Sequence, residues 1–105
     1  MEISFEKEYL RELYKTGKTT DKKHRFQPQV VNRYQQAVFV LKSVSCVKDL
    51  DRYRGLRYEK LQGDKKGIES VRVNDQYRIE FTTRQVLSET IVTVCNIIEL
   101  SNHYK

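Results

Sequence analysis

The spacing of apolar residues in the first half of the chain predicts a short strand followed by two helices. Ile3 and Phe5 alternate with polar residues, as in a strand with one buried face. The period then changes to four, which predicts a first helix that ends near Gly17. Pro28 suits the first turn of a second helix, whose apolar stripe runs to about Val44. The two stripes consist of Tyr9, Leu10, Leu13, Tyr14, Val30, Tyr34, Ala37, Val38 and Leu41.

The same pattern predicts how deeply the second helix is buried and a further helical turn after it. Phe39 and Val40 widen the stripe of the second helix, so we expect this helix to be well buried. The segment Val47–Leu50 predicts one more helical turn.

In the second half of the chain the period is two, which predicts strands. Tyr58–Leu61 is a short strand, and Ser70–Val73 and Tyr77–Phe81 form a hairpin. Thr90–Leu100 is a long strand with apolar residues on both faces, so both faces are covered for part of its length. Helices first and strands later indicate a single α+β domain over residues 1–105, with two N-terminal helices packed on one face of a twisted antiparallel sheet of three to five strands.

The hairpin brings like charges together on the sheet face away from the helices. A three-residue loop at positions 74–76 pairs its apolar residues so that they face the core. The same register sets Arg72 opposite Arg78, and like charges directly opposite destabilise a sheet. An anion across the sheet would relieve this, because the guanidinium fork matches a phosphate. A surface lattice with Glu69 and Glu80 explains the pattern equally well. The neighbouring strand end and loop add Lys60, Lys65 and Lys66.

The charge of the chain favours polyanionic partners. The net charge is +6, which suits nucleic acid, a ribosome or an acidic protein. Residues 16–25 contain three threonines, three lysines and no aliphatic side chain. We interpret them as a mobile basic loop, and favour a solvated linker over a specific RNA contact. His24 in this loop receives no role.

The composition also excludes several classes of protein. No apolar run approaches the length of a membrane span and the N-terminal residues do not resemble a signal peptide, so we expect a cytoplasmic protein without a membrane partner. Cys46 and Cys95 are far apart and lie among apolar neighbours, which indicates reduced, buried thiols. Neither has a cysteine or histidine at metal-ligand spacing, so no metal site is expected.

The stretch Leu61–Phe81 resembles the core of the HigB branch of the RelE-like toxins. Leu61–Gly67 fits the family's leucine and Gly-Asp-x-x-Gly loop, 70–74 fits its Ser-x-Arg-x-Asn strand, and 77–81 fits its aromatic-Arg-Ile-x-Phe strand. Leu100–Tyr104 resembles the closing segment of the family, which ends at a histidine. The order of helices and strands also agrees, so the resemblance covers most of the chain.

The resemblance implies a RelE-like fold and the toxin of a type II toxin–antitoxin pair. Such toxins cleave mRNA in the ribosomal A site and are neutralised by a helix-turn-helix antitoxin, here a HigA-like protein. They use no metal or cofactor: the ribose 2′-OH attacks the adjacent phosphate and leaves a 2′,3′-cyclic phosphate and a free 5′-OH. A monomer is expected for the free toxin, because the A site admits only a small body.

The resemblance also assigns roles to individual residues. Arg78 is the expected phosphate clamp, with Arg72 and Lys60 in support. His103 matches the C-terminal histidine of the family and is expected to transfer a proton, which suits its side chain at neutral pH. Glu59 stands where some members carry a histidine, and could act as a base if its pKa is raised or if a cation holds it in place. The residues expected to bind RNA are Lys60, Lys65, Lys66 and Tyr104.

Two other functions stay open at this point. A catalytically degenerate relative could bind RNA or the antitoxin without cutting, and two features support it: Glu59 at the histidine position, and 101–103 reading Ser-Asn-His where some members end in Asp-Tyr-His. A small basic protein associated with the ribosome is the third possibility.

Overall fold

The computed structural model of the protein describes residues 1–102. Its helices and strands are β1 (Glu2–Phe5), α1 (Glu8–Thr16), α2 (Pro28–Ser43), β2 (Glu59–Lys60), β3 (Glu69–Arg72), β4 (Arg78–Leu87) and β5 (Ile91–Ser101). Short 3₁₀ turns cover Lys22–His24, Val47–Arg52, Arg54–Leu56 and Gly63–Lys65. No helix in this part of the chain combines the length and the apolar character needed to cross a bilayer.

Both predicted helices form, and their ends follow the sequence signals. Gly17 takes a φ of 76°, a left-handed conformation that costs glycine little, and its N–H bonds to the carbonyl of Leu13 at 3.0 Å. Pro28 occupies the first turn of α2. The expectation of a well-buried α2 is wrong at Phe39, which is 62% exposed. The core takes the face that carries Val38, and Phe39 is one position round the helix from it.

The predicted α+β fold is confirmed, and the sheet has five strands in the order β1-β5-β4-β3-β2. One pair differs from the expected antiparallel arrangement: β1 runs parallel to β5, with Ile3 opposite Cys95 and Phe5 opposite Ile97. The two strands are far apart in the chain, so no tight turn forces them to be antiparallel.

The register predicted for the hairpin is confirmed. Val71 lies opposite Ile79, and Arg72 lies opposite Arg78. Strand β4 continues to Leu87, six residues beyond the predicted end at Phe81, and pairs with β5 along this extension. The signal was weak, because Thr82–Gln85 is polar on both faces.

A β-bulge in β5 explains why both odd-numbered and even-numbered residues of this strand are buried. Glu80 lies opposite Glu99 and Phe81 lies opposite Ile97, so Ile98 is the extra residue. The bulge lets Leu100 and Ile97 face the same core, and both are buried. The core lies between the sheet and the two helices, and its largest fully buried side chains include Tyr34, Phe81, Leu10, Leu41 and Leu50.

Candidate functional site

The face of the sheet opposite the helices is polar, yet part of it is buried. Ser70, Arg78, Glu80 and Ser101 are each less than 9% exposed. All four belong to β3, β4 or β5 and alternate with the apolar residues that face the helices. The turns between α2 and β3 fold against this face and supply partners to Arg78 and Glu80. The buried polar patch is therefore built from the hairpin that the sequence singled out.

Arg78 is the central residue of this patch. Its Nε donates a hydrogen bond to Ser70 Oγ at 2.9 Å, and its Nη2 donates to the carbonyl of Arg57 at 2.5 Å. The same Nη2 lies 3.7 Å from Oε1 of Glu59, a looser ion pair. Arg57 has a φ of 44°, an uncommon conformation for a residue with a side chain, and its carbonyl serves Arg78 from there. The guanidinium is thus held in one orientation by its own chain.

Arg72 points toward the hairpin turn and forms an ion pair with Asp75. The hydrogen bond from Arg72 holds the pKa of Asp75 below its ordinary value, and the charge of the same guanidinium adds to the effect. Arg72 and Arg78 are therefore neighbours in register with separate acceptors, Asp75 for one and Ser70 with Arg57 for the other. The charge of Asp75 offsets that of Arg72, and Glu59 lies 3.7 Å from Arg78, so the chain itself supplies part of the relief that the sequence suggested from an external anion.

The predicted lysines divide into two groups. Nζ of Lys65 lies 2.6 Å from Oε2 of Glu80, whose side chain is 5% exposed. Lys60 and Lys66 have no ion pair within residues 1–102 and line a groove along the β2 edge. The structure thus brings Lys65 into the patch and leaves Lys60 and Lys66 beside it.

Glu59 lies opposite Ser70 in the β2–β3 ladder, and its side chain is 53% exposed. This register brings its carboxylate to Arg78. Ser101 lies opposite Arg78 on the other side, in β5. His103 and Tyr104, the two C-terminal residues predicted for the site, lie outside the described residues.

A cleft of about 500 Å³ opens beside this patch. One wall consists of Lys23–Phe26, and the other includes Lys65, Glu80, Glu99 and Ser101. The sequence pattern did not predict the first wall.

The second half of residues 16–25, for which a solvated linker was expected, forms a 3₁₀ turn over Lys22–His24, although Lys22, Lys23 and Arg25 are exposed. Asp21 caps the 3₁₀ turn by accepting a hydrogen bond from the N–H of Lys23 at 3.0 Å. The ring of His24 stacks on Tyr9 with 3.6 Å between centroids, and its Nδ1 lies 2.9 Å from Oδ2 of Asp21. The hydrogen bond between His24 and Asp21 lowers the pKa of Asp21. The spacing of Asp21 and His24, three residues apart, was the local signal for this turn. The stacking of His24 on Tyr9 had no local signal, because Tyr9 lies in α1.

The acidic groups of the cleft are compensated by the chain itself. Glu80 and Glu99 lie opposite each other, and Lys65 neutralises the first. Lys7 lies 3.0 Å from Glu99, and the hydroxyl of Tyr9 donates a hydrogen bond to the same carboxylate. Burial raises the pKa of Glu99, but the hydrogen bonds from Tyr9 and Lys7 outweigh it and leave the pKa below its ordinary value.

The described residues offer no group of three or more metal-binding side chains. Cys46 and Cys95 are free thiols. Burial raises the pKa of Cys95 to about 12, so its thiolate is not accessible near neutral pH.

Comparison with known proteins relates the chain to bacterial toxins. A family model described as RelE-like toxin of type II toxin-antitoxin system HigB matches residues 3–93. Toxin HigB-1 of Vibrio cholerae serotype O1 is 34% identical over 82 residues, which cover 77% of this chain and 82% of that protein. The fold is similar to that of a YoeB/ParE toxin from Agrobacterium tumefaciens, with a TM-score of 0.54 at 18% identity over 99% of this chain and 100% of that chain.

Proposed function

We propose that this chain, which belongs to the HigB-like family of RelE-like toxins from type II toxin–antitoxin systems, acts as a ribosome-dependent endoribonuclease. The family match confirms the resemblance found in the sequence. In this proposal the toxin works in the cytoplasm, enters the ribosomal A site as a monomer and cuts mRNA there. Its antitoxin is a helix-turn-helix protein that neutralises it.

The observation that carries the proposal is the contact between Arg78 and Glu59. A buried guanidinium with a fixed orientation is suited to bind a phosphate and to stabilise charge that develops on it. The carboxylate of Glu59 is half exposed and lies 3.7 Å from Arg78. It is therefore suited to accept the proton of the ribose 2′-OH next to that phosphate. RNA cleavage by the 2′-OH needs these two groups side by side.

The chemistry follows from this pair. The substrate phosphate takes the place of the long Glu59 contact at Arg78, which releases the carboxylate to accept the proton of the 2′-OH. The 2′-oxygen then forms a bond to phosphorus, while Arg78 stabilises the negative charge of the phosphorane. The bond from phosphorus to the 5′-oxygen breaks, and His103 donates a proton to that leaving oxygen. The products are a 2′,3′-cyclic phosphate and a 5′-OH.

The other predicted residues hold the RNA in this scheme. Arg72 supports the phosphate site from the next strand, and Lys60 and Lys66 contact the backbone along the β2 edge. Lys65 leaves its ion pair with Glu80 and binds an RNA phosphate instead. Tyr104 stacks on a base.

Mapping of mRNA 5′ ends after induction tests the function. The wild type is expected to create new 5′ ends inside translated frames, and Arg78→Ala is expected to abolish both these ends and the growth arrest. Arg84→Ala is the matched control, because Arg84 is an exposed arginine of the same strand. Circular dichroism of the purified variants checks that they are folded.

Two results would overturn the proposal. The absence of new 5′ ends with the wild type would leave a non-cutting relative that binds RNA or the antitoxin, a function that Glu59 favours because some family members carry a histidine at its position. A folded Arg78→Ala variant that still cuts would remove Arg78 from the mechanism.

A further inference from the structure

We propose that the segment Asp21–Phe26 forms a second RNA-binding wall of the cleft, in which Lys23 and Arg25 bind the phosphates of nucleotides next to the scissile one. This inference rests on the proposed function and extends it to a part of the chain that the catalytic scheme does not use.

The segment is fixed in place before any ligand binds. The side chain of Asp21 caps its turn, and the ring of His24 is stacked on Tyr9 at an interplanar angle of 6°. The ring of Phe26 meets that of Tyr77 edge-on, with 5.4 Å between centroids. The backbone between these anchors therefore presents Lys23 and Arg25 from a defined position, which lowers the entropic cost of binding.

The wall lies across one cleft from two residues of the buried polar patch, Glu80 and Ser101. Lys23 and Arg25 line it on one side, and Lys65 and Ser101 line it on the other. Ser101 lies directly opposite Arg78 in the sheet. Arg78 itself does not line the cleft, so the proposed path of the RNA runs from Arg78 past Ser101 into the cleft, where the neighbouring nucleotides meet Lys23 and Arg25.

The charges of the cleft favour an anion at this wall. Glu80 is paired with Lys65, and Glu99 is paired with Lys7. Lys23 and Arg25 are exposed, and neither forms an ion pair with another described side chain. Among the described residues that line the cleft, Lys23 and Arg25 are therefore cations without an ion pair, and a polyphosphate backbone is the ligand that matches them.

The test compares two double variants with the same change in charge. Lys23→Gln with Arg25→Gln removes both cations of the wall, and Lys42→Gln with Lys48→Gln removes two exposed lysines that do not line the cleft. Single-turnover cleavage of mRNA on programmed ribosomes is measured against toxin concentration and salt.

The wall variant is expected to need about tenfold more toxin for half-maximal cleavage, with its maximal rate within about twofold of the wild type. Its salt slope is expected to fall by about 1.4, that is, about 0.7 for each lost phosphate contact with a single strand. The control is expected to match the wild type. Exchange of the two cations, Lys23→Arg with Arg25→Lys, is expected to restore most of the affinity.

The outcomes separate this inference from the proposed function. If the wild type cuts and the wall variant matches the control, the wall does not bind RNA, although the proposed function stands. If the wall variant loses affinity for the antitoxin and keeps its half-maximal concentration for cleavage, the wall is a protein interface and the inference is wrong. If the wild type itself does not cut, the proposed function fails and the inference fails with it.

Discussion

At the scale of single residues, Arg78 and Glu59 differ in how firmly the buried polar patch holds them. Arg78 is buried and bonded to Ser70 and to the carbonyl of Arg57, so it cannot reorient freely. Glu59 is half exposed and joined to Arg78 by a long contact. The two residues therefore differ in kind: Arg78 is part of the framework, and Glu59 is free to exchange its partner.

This difference predicts a separation of activity from stability at Glu59. Glu59→Gln is expected to lower the single-turnover rate by about 100-fold or more, because the amide cannot accept the 2′-OH proton. The free energy of unfolding is expected to change by less than about 0.5 kcal/mol, since the contact is long and the carboxylate of Glu59 is half exposed. Urea denaturation measures the second quantity, and Glu89→Gln in the exposed β4–β5 turn is the control. A Glu59→Gln variant that cuts at the wild-type rate would show that another group takes the proton.

Glu99 predicts how stability depends on pH. Its folded pKa lies below the ordinary value of 4.5, so the folded protein favours the ionised carboxylate more than the unfolded chain does. The stabilisation is complete above about pH 4.5 and is lost as the pH falls through the lowered folded value. Glu99→Gln is expected to be less stable than the wild type at pH 7 and to lose less stability between pH 5 and pH 3. Urea denaturation at each pH measures this, and equal losses in both proteins would contradict the role of Glu99.

At the scale of elements, the hairpin of β3 and β4 was the part most open to sequence reasoning. A period of two and a three-residue loop fix which side chains are opposite each other, and the observed pairing of Val71 with Ile79 follows from these two facts alone. The helices followed from the same kind of argument. The bulge at Ile98 did not, because a bulge adds one residue without any change in composition.

Phe81 on the buried face of β4 and Phe39 on the exposed face of α2 are expected to differ in their contribution to stability. Phe81→Ala is expected to lower the free energy of unfolding by about 3 to 5 kcal/mol, because Phe81 of β4 is fully buried. Phe39→Ala on the exposed face of α2 is expected to change it by less than about 0.5 kcal/mol. Denaturant titration of both variants checks the contrast, and equal effects would show that Phe39 is packed in solution.

The candidate site was harder to predict than the elements that carry it. The pattern identified Arg72, Arg78 and the lysines, because alternation gives the face on which a side chain lies. It did not give the hydrogen-bond partners that Arg78 has, since the carbonyl of Arg57 reaches it through a left-handed turn. It also missed the wall at Lys23–Phe26, whose position depends on the stacking of His24 on a ring in another helix. Contacts between segments distant in the chain leave little trace in local periodicity.

At the scale of the whole molecule, the sheet joins the beginning of the chain to its end. Within residues 1–102, β1 pairs with β5 alone, and β5 separates β1 from β4. Neither the pairing nor its parallel direction was predictable, because hydrophobic alternation in β1 would suit an edge position beside any strand of either orientation.

This arrangement has a consequence for the order in which the protein is made. Translation produces β1 first and β5 after every other strand, so the nascent chain holds β1 and β4 without the strand that lies between them. Ser101, which lies opposite Arg78, is also among the last described residues to be synthesised. The sheet can close only after the ribosome has passed the codons for β5. The arrangement of Ser101 opposite Arg78 therefore cannot exist on a nascent chain that still lacks β5.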